Sequence, residues 1–128
     1  MYVVGFLDSS GQMVAMASVL SDLLAPSVWH ISLFIVATAL HGTGTAGLLY
    51  QRIEKWAKEE GASWMRLGAA VGNVKAERFW DKVGYREVRR LKEQHGSMTH
   101  DMRVMIKPLG GSDVDDYLHE VPRDRPGS

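Results

Sequence analysis

The stretch ALHGTGTAGLLYQRIEKWAKEEG, residues 39–61, is where the hydrophobic period of this chain changes, and no other stretch limits the fold as strongly. Ahead of it, residues 29–36 are apolar on both faces apart from His30 and Ser32, the pattern of a central strand. Behind it, Leu49, Ile53, Trp56 and Ala57 share one helical face, with Arg52, Lys55, Lys58 and Glu59 elsewhere and Gly61 as a natural stop. Between the two, Gly42, Gly44 and Gly47 form a literal G-x-G-x-x-G. A strand, a glycine turn and an amphipathic helix are therefore expected in that order.

The rest of the chain can be placed around this unit. Tyr2–Leu7 is β-branched and aromatic and is followed by the turn signal DSSG. Residues 12–20 alternate loosely, with Met13, Ala15, Ala17 and Val19 in register, so the two segments predict a hairpin. SDLLAPS, containing Pro26, is a loop. Residues 64–71 predict another mostly apolar strand, and Asn73 is a good N-cap for a short helix holding Ala76, Phe79, Trp80 and Val83 and ended by Gly84. Residues 85–91 and 98–106 predict a second hairpin across KEQHGS. The expected order is β-β-β-α-β-α-β-β: an α+β fold with a mixed, mainly antiparallel sheet and two helices. One domain is expected over residues 1–109. Residues 110–128, polar and rich in Gly and Pro, are expected to form a peripheral tail.

Composition removes several function classes. The 128 residues suffice for one core, and Lys+Arg and Asp+Glu are 15 each, so the basic excess of a nucleic-acid binder is missing. There is no cysteine, which excludes disulfides, thiolate metal sites and cysteine nucleophiles and fits a reducing cytoplasm. No pair of histidines and acids has a metal-binding spacing, so no metal is expected. MYVVGFLDSSGQ lacks a basic leader and meets an acid at Asp8, unlike a signal peptide. The longest apolar run, residues 31–40, is too short to span a bilayer, so no membrane association is expected.

Several readings of the glycine turn compete. A dinucleotide-binding turn needs an acid about 20 residues on, at the end of the next strand, and WMRLGAAVGN offers none. A P-loop needs a lysine after its glycines, and none follows. The glycines could simply shape the way into a helix. Alternatively, small residues at a helix start leave backbone N–H groups uncovered, and with the helix dipole these form a site for phosphate oxygens. Turn shaping alone does not explain why side chains stay small through residues 42–47.

The neighbouring residues carry a resemblance. HGTGTA followed by GLLYQRIEKWA is similar to the acyl-CoA pyrophosphate loop of the GCN5-related N-acetyltransferases, Arg/Gln-x-x-Gly-x-Gly/Ala opening a long amphipathic helix. Gly44 and Ala46 match; His41 stands where Arg or Gln is usual. NVKAERFWDKVGY, residues 73–85, resembles the second signature, Asn-x-x-Ala-x-x-aromatic/Leu-Tyr-x-x-x-Gly-Phe, and DMRVMIKPL, residues 101–109, resembles the last strand. The three stretches occur in the family's order.

The resemblance implies acetyl-CoA as substrate and an amine as acceptor. The backbone around Phe34, Ile35 and Val36 would pair with the pantetheine amides as an added strand would. The turn of His41, Gly42, Thr43, Gly44, Thr45 and Ala46 would hold the pyrophosphate. Asn73 would meet the pantetheine or serve as a plain N-cap, and both roles can coexist. Phe79 and Trp80 would pack near the thioester or simply in the core. An alkylammonium has a pKa of about 10.4, so a base must take its proton before attack. His30, or Asp22 in the loop before it, is the candidate base; a strand histidine can equally be structural. The family's tyrosine acid is replaced by Trp80, whose indole N–H is not a usable acid. A thiolate, from a thiol of pKa about 8.5, is nonetheless a tolerable leaving group unaided.

The family usually opens with a strand and two helices ahead of the first hairpin seen here. The outer hairpin strand is then an uncovered edge. A homodimer is the expected cover, with a folded-back tail or a longer parent chain as the alternatives. Two functions stay open: an N-acetyltransferase acting on a primary amine, and a catalytically idle acyl-CoA-binding module.

Overall fold

The structure is a computed structural model that describes residues 1–111 and 113–126, His95 by its backbone alone. The chain divides into two compact units, Met1–Ser63 and Trp64–Ser128.

The first unit contains β1 (Tyr2–Leu7), β2 (Met13–Leu20), β3 (Val28–Val36), a 3₁₀ turn (Thr38–Leu40) and α1 (Thr45–Glu59). The strands pair antiparallel in the order β1-β2-β3. The first hairpin turns where DSSG predicts: the Asp8 carboxylate accepts from the Ser10 and Gln12 amides at 2.9 and 3.0 Å, and Gly11 takes φ +85°. Alternation decides the faces. Ala15, Ala17 and Val19 are buried on one side of β2, and their partners Val36, Phe34 and Ile31 share that side. Ser32 is the extra residue of a bulge between the Ser18–Leu33 and Val19–Ile31 pairs, and its hydroxyl donates to the Ser18 carbonyl. α1 covers the small-residue face through Leu49, Tyr50, Ile53 and Ala57, all buried. Phe34 meets Tyr50 edge-on, and Tyr2, Trp29 and Trp56 form a three-ring cluster with centroids 5.1–5.6 Å apart. Ile53, 1% exposed, is worth about 1.5–3 kcal/mol of burial.

The second unit contains β4 (Trp64–Ala70), α2 (Val74–Val83), β5 (Arg86–His95), β6 (Met98–Pro108), α3 (Val114–Glu120) and a 3₁₀ turn (Pro122–Asp124). Its strands pair antiparallel in the order β4-β6-β5. α2 starts at Asn73, whose side chain accepts from the Ala76 amide at 3.2 Å, and ends at Gly84 in the left-handed region, as expected. The second hairpin is longer than the sequence implies. His95 pairs with Met98, leaving Gly96 and Ser97 as a two-residue turn with Gly96 at φ +62°.

The expected strand–helix order holds through residue 108, and a third helix adds to the two expected. α3 lies in the segment expected to be a polar peripheral tail, where Tyr117, Val121 and Asp124 are 0–2% exposed. Asp113 and Asp116 form a reciprocal capping box at its start. Asp124 then accepts from Arg66 of β4 through both oxygens, at 2.7 and 3.1 Å, and from the Tyr117 hydroxyl. Burial pushes the Asp124 carboxyl up, but the Arg66 and Tyr117 hydrogen bonds outweigh it and hold the group below the usual carboxylate range. α2 is tied to the β5–β6 hairpin by Arg103, which reaches Glu87 at 2.7 Å and Glu77 and Asp81 at 3.3 Å.

Candidate functional site

In the first unit, β3 delivers the chain into the glycine turn. Ala37 N–H donates to the Val14 carbonyl at 2.8 Å, which fixes the phase of the ladder. The hydrogen-bonded pairs along β2 and β3 are therefore 14–37, 16–35 and 18–33. Ile35 spends its backbone groups on β2, whereas Phe34 and Val36 turn theirs the other way.

The turn is built from short local bonds. Leu40 N–H donates to Ala37 O, His41 N–H to Thr38 O and Thr43 N–H to Leu40 O. The Thr43 hydroxyl donates to the Leu40 carbonyl at 2.6 Å, lies 2.7 Å from the Thr45 hydroxyl, and receives the Thr45 amide at 3.3 Å. His41 Nε2 sits 2.9 Å from the Val36 carbonyl oxygen. Gly42 and Gly44 take φ of +78° and +81°, the conformation that favours glycine. A Cβ at Gly42, Gly44 or Gly47 would meet nothing within 4 Å. The glycines are thus demanded by backbone conformation at 42 and 44, with open space above all three.

His41, Thr43 and Thr45 already donate within the turn. Among the described residues the amides of Gly42, Gly44, Ala46 and Gly47 have no protein acceptor, and the last two lie in the first turn of α1. Four uncovered donors thus stand at the positive end of a 15-residue helix, where negative charge is favoured. Gly47, the third glycine of the motif, adds an open amide next to the turn of residues 41–46. The His41–Val36 bond had no signal in the sequence.

His30 is half-buried and pairs with Leu20. The Ser32 bulge puts it on the sheet face with Met16, Ser18, Leu33 and Ile35, opposite the face that α1 covers. Leu33 and Ile35 are 40% and 50% exposed there. Asp22 lies in a loop where Asp22, Leu24 and Ser27 all take positive φ, and its carboxylate accepts from the Ser27 amide at 2.8 Å.

In the second unit, Asn73 caps α2 and is exposed. Phe79 and Trp80 are half-buried, with ring centroids 4.8 Å apart, and Trp80 meets Tyr85 edge-on at 5.3 Å. Among the described residues no group of three or more His, Asp or Glu side chains could hold a metal ion. No described helix is long and apolar enough to cross a membrane.

The comparisons agree with this geometry. The family model described as an acetyltransferase (GNAT) domain matches residues 2–106. No curated protein matches. Among solved structures, the chain is similar to a GCN5-related N-acetyltransferase from Kribbella flavida, at 25% identity and TM-score 0.69, covering 84% of this chain and 67% of that one. It also resembles the ribosomal-protein-S18-alanine N-acetyltransferase from Escherichia coli, at 17% identity and TM-score 0.68, covering 84% and 69%. A chimera of the Vibrio cholerae spermidine N-acetyltransferase SpeG and hSSAT shares the fold at 18% identity and TM-score 0.74, covering 91% and 68%. With a glycine turn of uncovered amides between β3 and α1 and a family match over most of its length, this protein belongs to the GNAT acetyltransferase family.

Proposed function

We propose that the protein transfers an acetyl group from acetyl-CoA to a primary amine by direct attack within a ternary complex. The observation that carries this reading is the set of uncovered amides at Gly42, Gly44, Ala46 and Gly47, donors of the kind that hold phosphate oxygens at a helix start. In this reading Phe34 and Val36 offer the pantetheine their outward-facing backbone. His30 acts as base on an acceptor that approaches the open sheet face. The amine must lose a proton from a group of pKa about 10.4, and a neutral imidazole is suited to taking it. The thiolate leaves without help from an acid at Trp80. Relatives named for a protein alanine and for spermidine both have this fold, which supports an amine acceptor without favouring either class.

Trp80 favours a second reading, an acyl-CoA-binding module without turnover, because it fills the place of the family's tyrosine acid. One experiment separates the two. CoA binding is measured by calorimetry, and thiol release from acetyl-CoA is followed with a panel of primary amines. Release with any amine supports the enzyme; tight binding without release supports the module; no binding defeats both.

We further propose a homodimer formed through β1. That strand pairs with β2 along one edge, and Tyr2, Val3 and Leu7 are 44–64% exposed.

A further inference from the structure

We propose that His41 is a positioning residue that locks the diphosphate turn to the end of β3. The proposal rests on the reading of residues 42–47 as the diphosphate site. His41 Nε2 lies 2.9 Å from the Val36 carbonyl oxygen. A carbonyl only accepts, so Nε2 carries the proton and the ring is held as the Nε2–H tautomer. The bond spans five residues, from the last residue of β3 to the residue directly before Gly42. The main chain between them is already wound by the Leu40–Ala37 and His41–Thr38 backbone bonds, at 2.9 and 3.0 Å. His41 is therefore fastened by main chain and side chain together. Gly42 begins the left-handed backbone from a fixed point, and its amide is the first of the four uncovered donors.

Val36 turns its amide groups away from β2, so its carbonyl is a natural acceptor for an extended ligand laid beside β3. His41 already holds one lone pair of that oxygen, so a ligand amide reaching Val36 would share the acceptor with the imidazole. An arginine or glutamine in this place has its donors at the end of a longer, more flexible side chain. Histidine sets the junction with a short and rigid one.

The test has a ligand-free arm and a ligand arm. In the free protein, ¹⁵N-detected NMR at pH 8 reads the His41 tautomer, and Nε2–H is expected; the Nδ1–H form would overturn the proposal. Calorimetric titration of CoA then compares the wild-type chain with His41→Ala and His41→Gln. Loss of one exposed hydrogen bond should weaken binding about three- to tenfold in His41→Ala. His41→Gln, which keeps an N–H donor, should recover most of that loss. Unchanged affinity in His41→Ala, or a glutamine variant no better than alanine, overturns the proposal. Should the wild-type chain not bind CoA, the diphosphate reading falls, and the lock is judged by amide exchange at Thr43. That exchange is faster in His41→Ala if His41 holds the turn and unchanged if it does not.

Discussion

Removing the Asp124 carboxylate should be among the most damaging single changes in the second unit. The side chain is 1% exposed and receives two hydrogen bonds from Arg66, itself 9% exposed, and one from Tyr117. Asp124→Ala leaves a buried guanidinium without its counter-charge, and breaking such a pair costs about 3–5 kcal/mol. Against a total stability of about 5–15 kcal/mol this is a large fraction. The expected fall in Tm is about 10–20 °C. Urea unfolding followed by tryptophan fluorescence measures the change directly. A triple variant, Arg66→Met with Tyr117→Phe and Asp124→Leu, removes these three polar groups together and should stay within about 2 kcal/mol of wild type or exceed it. The pH dependence has a definite sign. Asp124 titrates below its unfolded value of about 3.9, so its stabilisation is complete above that pH and fades as pH falls through the lower folded value. The gap between wild type and Asp124→Ala should accordingly be constant at pH 6–8 and close below about pH 4. An Asp124→Ala protein within about 1 kcal/mol of wild type at pH 7 would show that the cluster does not hold α3.

Three further outcomes are expected. Gly44→Val should abolish CoA binding because valine resists φ +81°, whereas Gly47→Ala, free of that constraint, should keep or raise Tm by differential scanning fluorimetry; equal effects of the two would contradict the conformational account. If His30 is the base, His30→Ala should lower turnover about 10²-fold with CoA affinity nearly unchanged, and an unaltered pH–rate profile would rule it out. Light scattering at micromolar concentration should give twice the 14.2 kDa of one chain, and a monodisperse mass near 14.2 kDa would defeat the dimer.

Much of the fold is legible in the sequence because its signals are local. The shift from strand to helix period around residues 42–47, the Asn73 cap and the Gly84 stop each depend on a few neighbouring residues. The family's motifs were legible for the same reason. What escaped depends on distant partners. Tyr117 and Asp124 look like tail residues until Arg66, 58 positions from Asp124, is brought against them. β5 runs on through Glu93 to His95 because β6 supplies a partner at every step, and charged residues there give no strand signal. In the turn, small side chains pointed to a phosphate site. Which amides remain open followed only from knowing that Thr38 O, Leu40 O and Thr43 Oγ1 already hold three of them. The side of β3 on which His30 lies was equally hidden, since the Ser32 bulge reverses the simple alternation.

The aromatic cluster of the first unit has a spectroscopic consequence. The chain has four tryptophans, and they divide evenly: Trp29 and Trp56 in the first unit, Trp64 and Trp80 in the second. Trp29 and Trp56 lie 5.2 Å apart at 79°, close enough for their indole transitions to couple and give a chiral near-ultraviolet signal that vanishes when α1 leaves the sheet. Trp64 and Trp80 each stand against a tyrosine, at 6.0 and 5.3 Å, within range for energy transfer from phenol to indole. Tyr2 stands as close to Trp29 and Trp56, at 5.6 and 5.1 Å, so energy transfer reports on both units, whereas the coupled Trp29–Trp56 pair times the assembly of the first in the unlabelled protein.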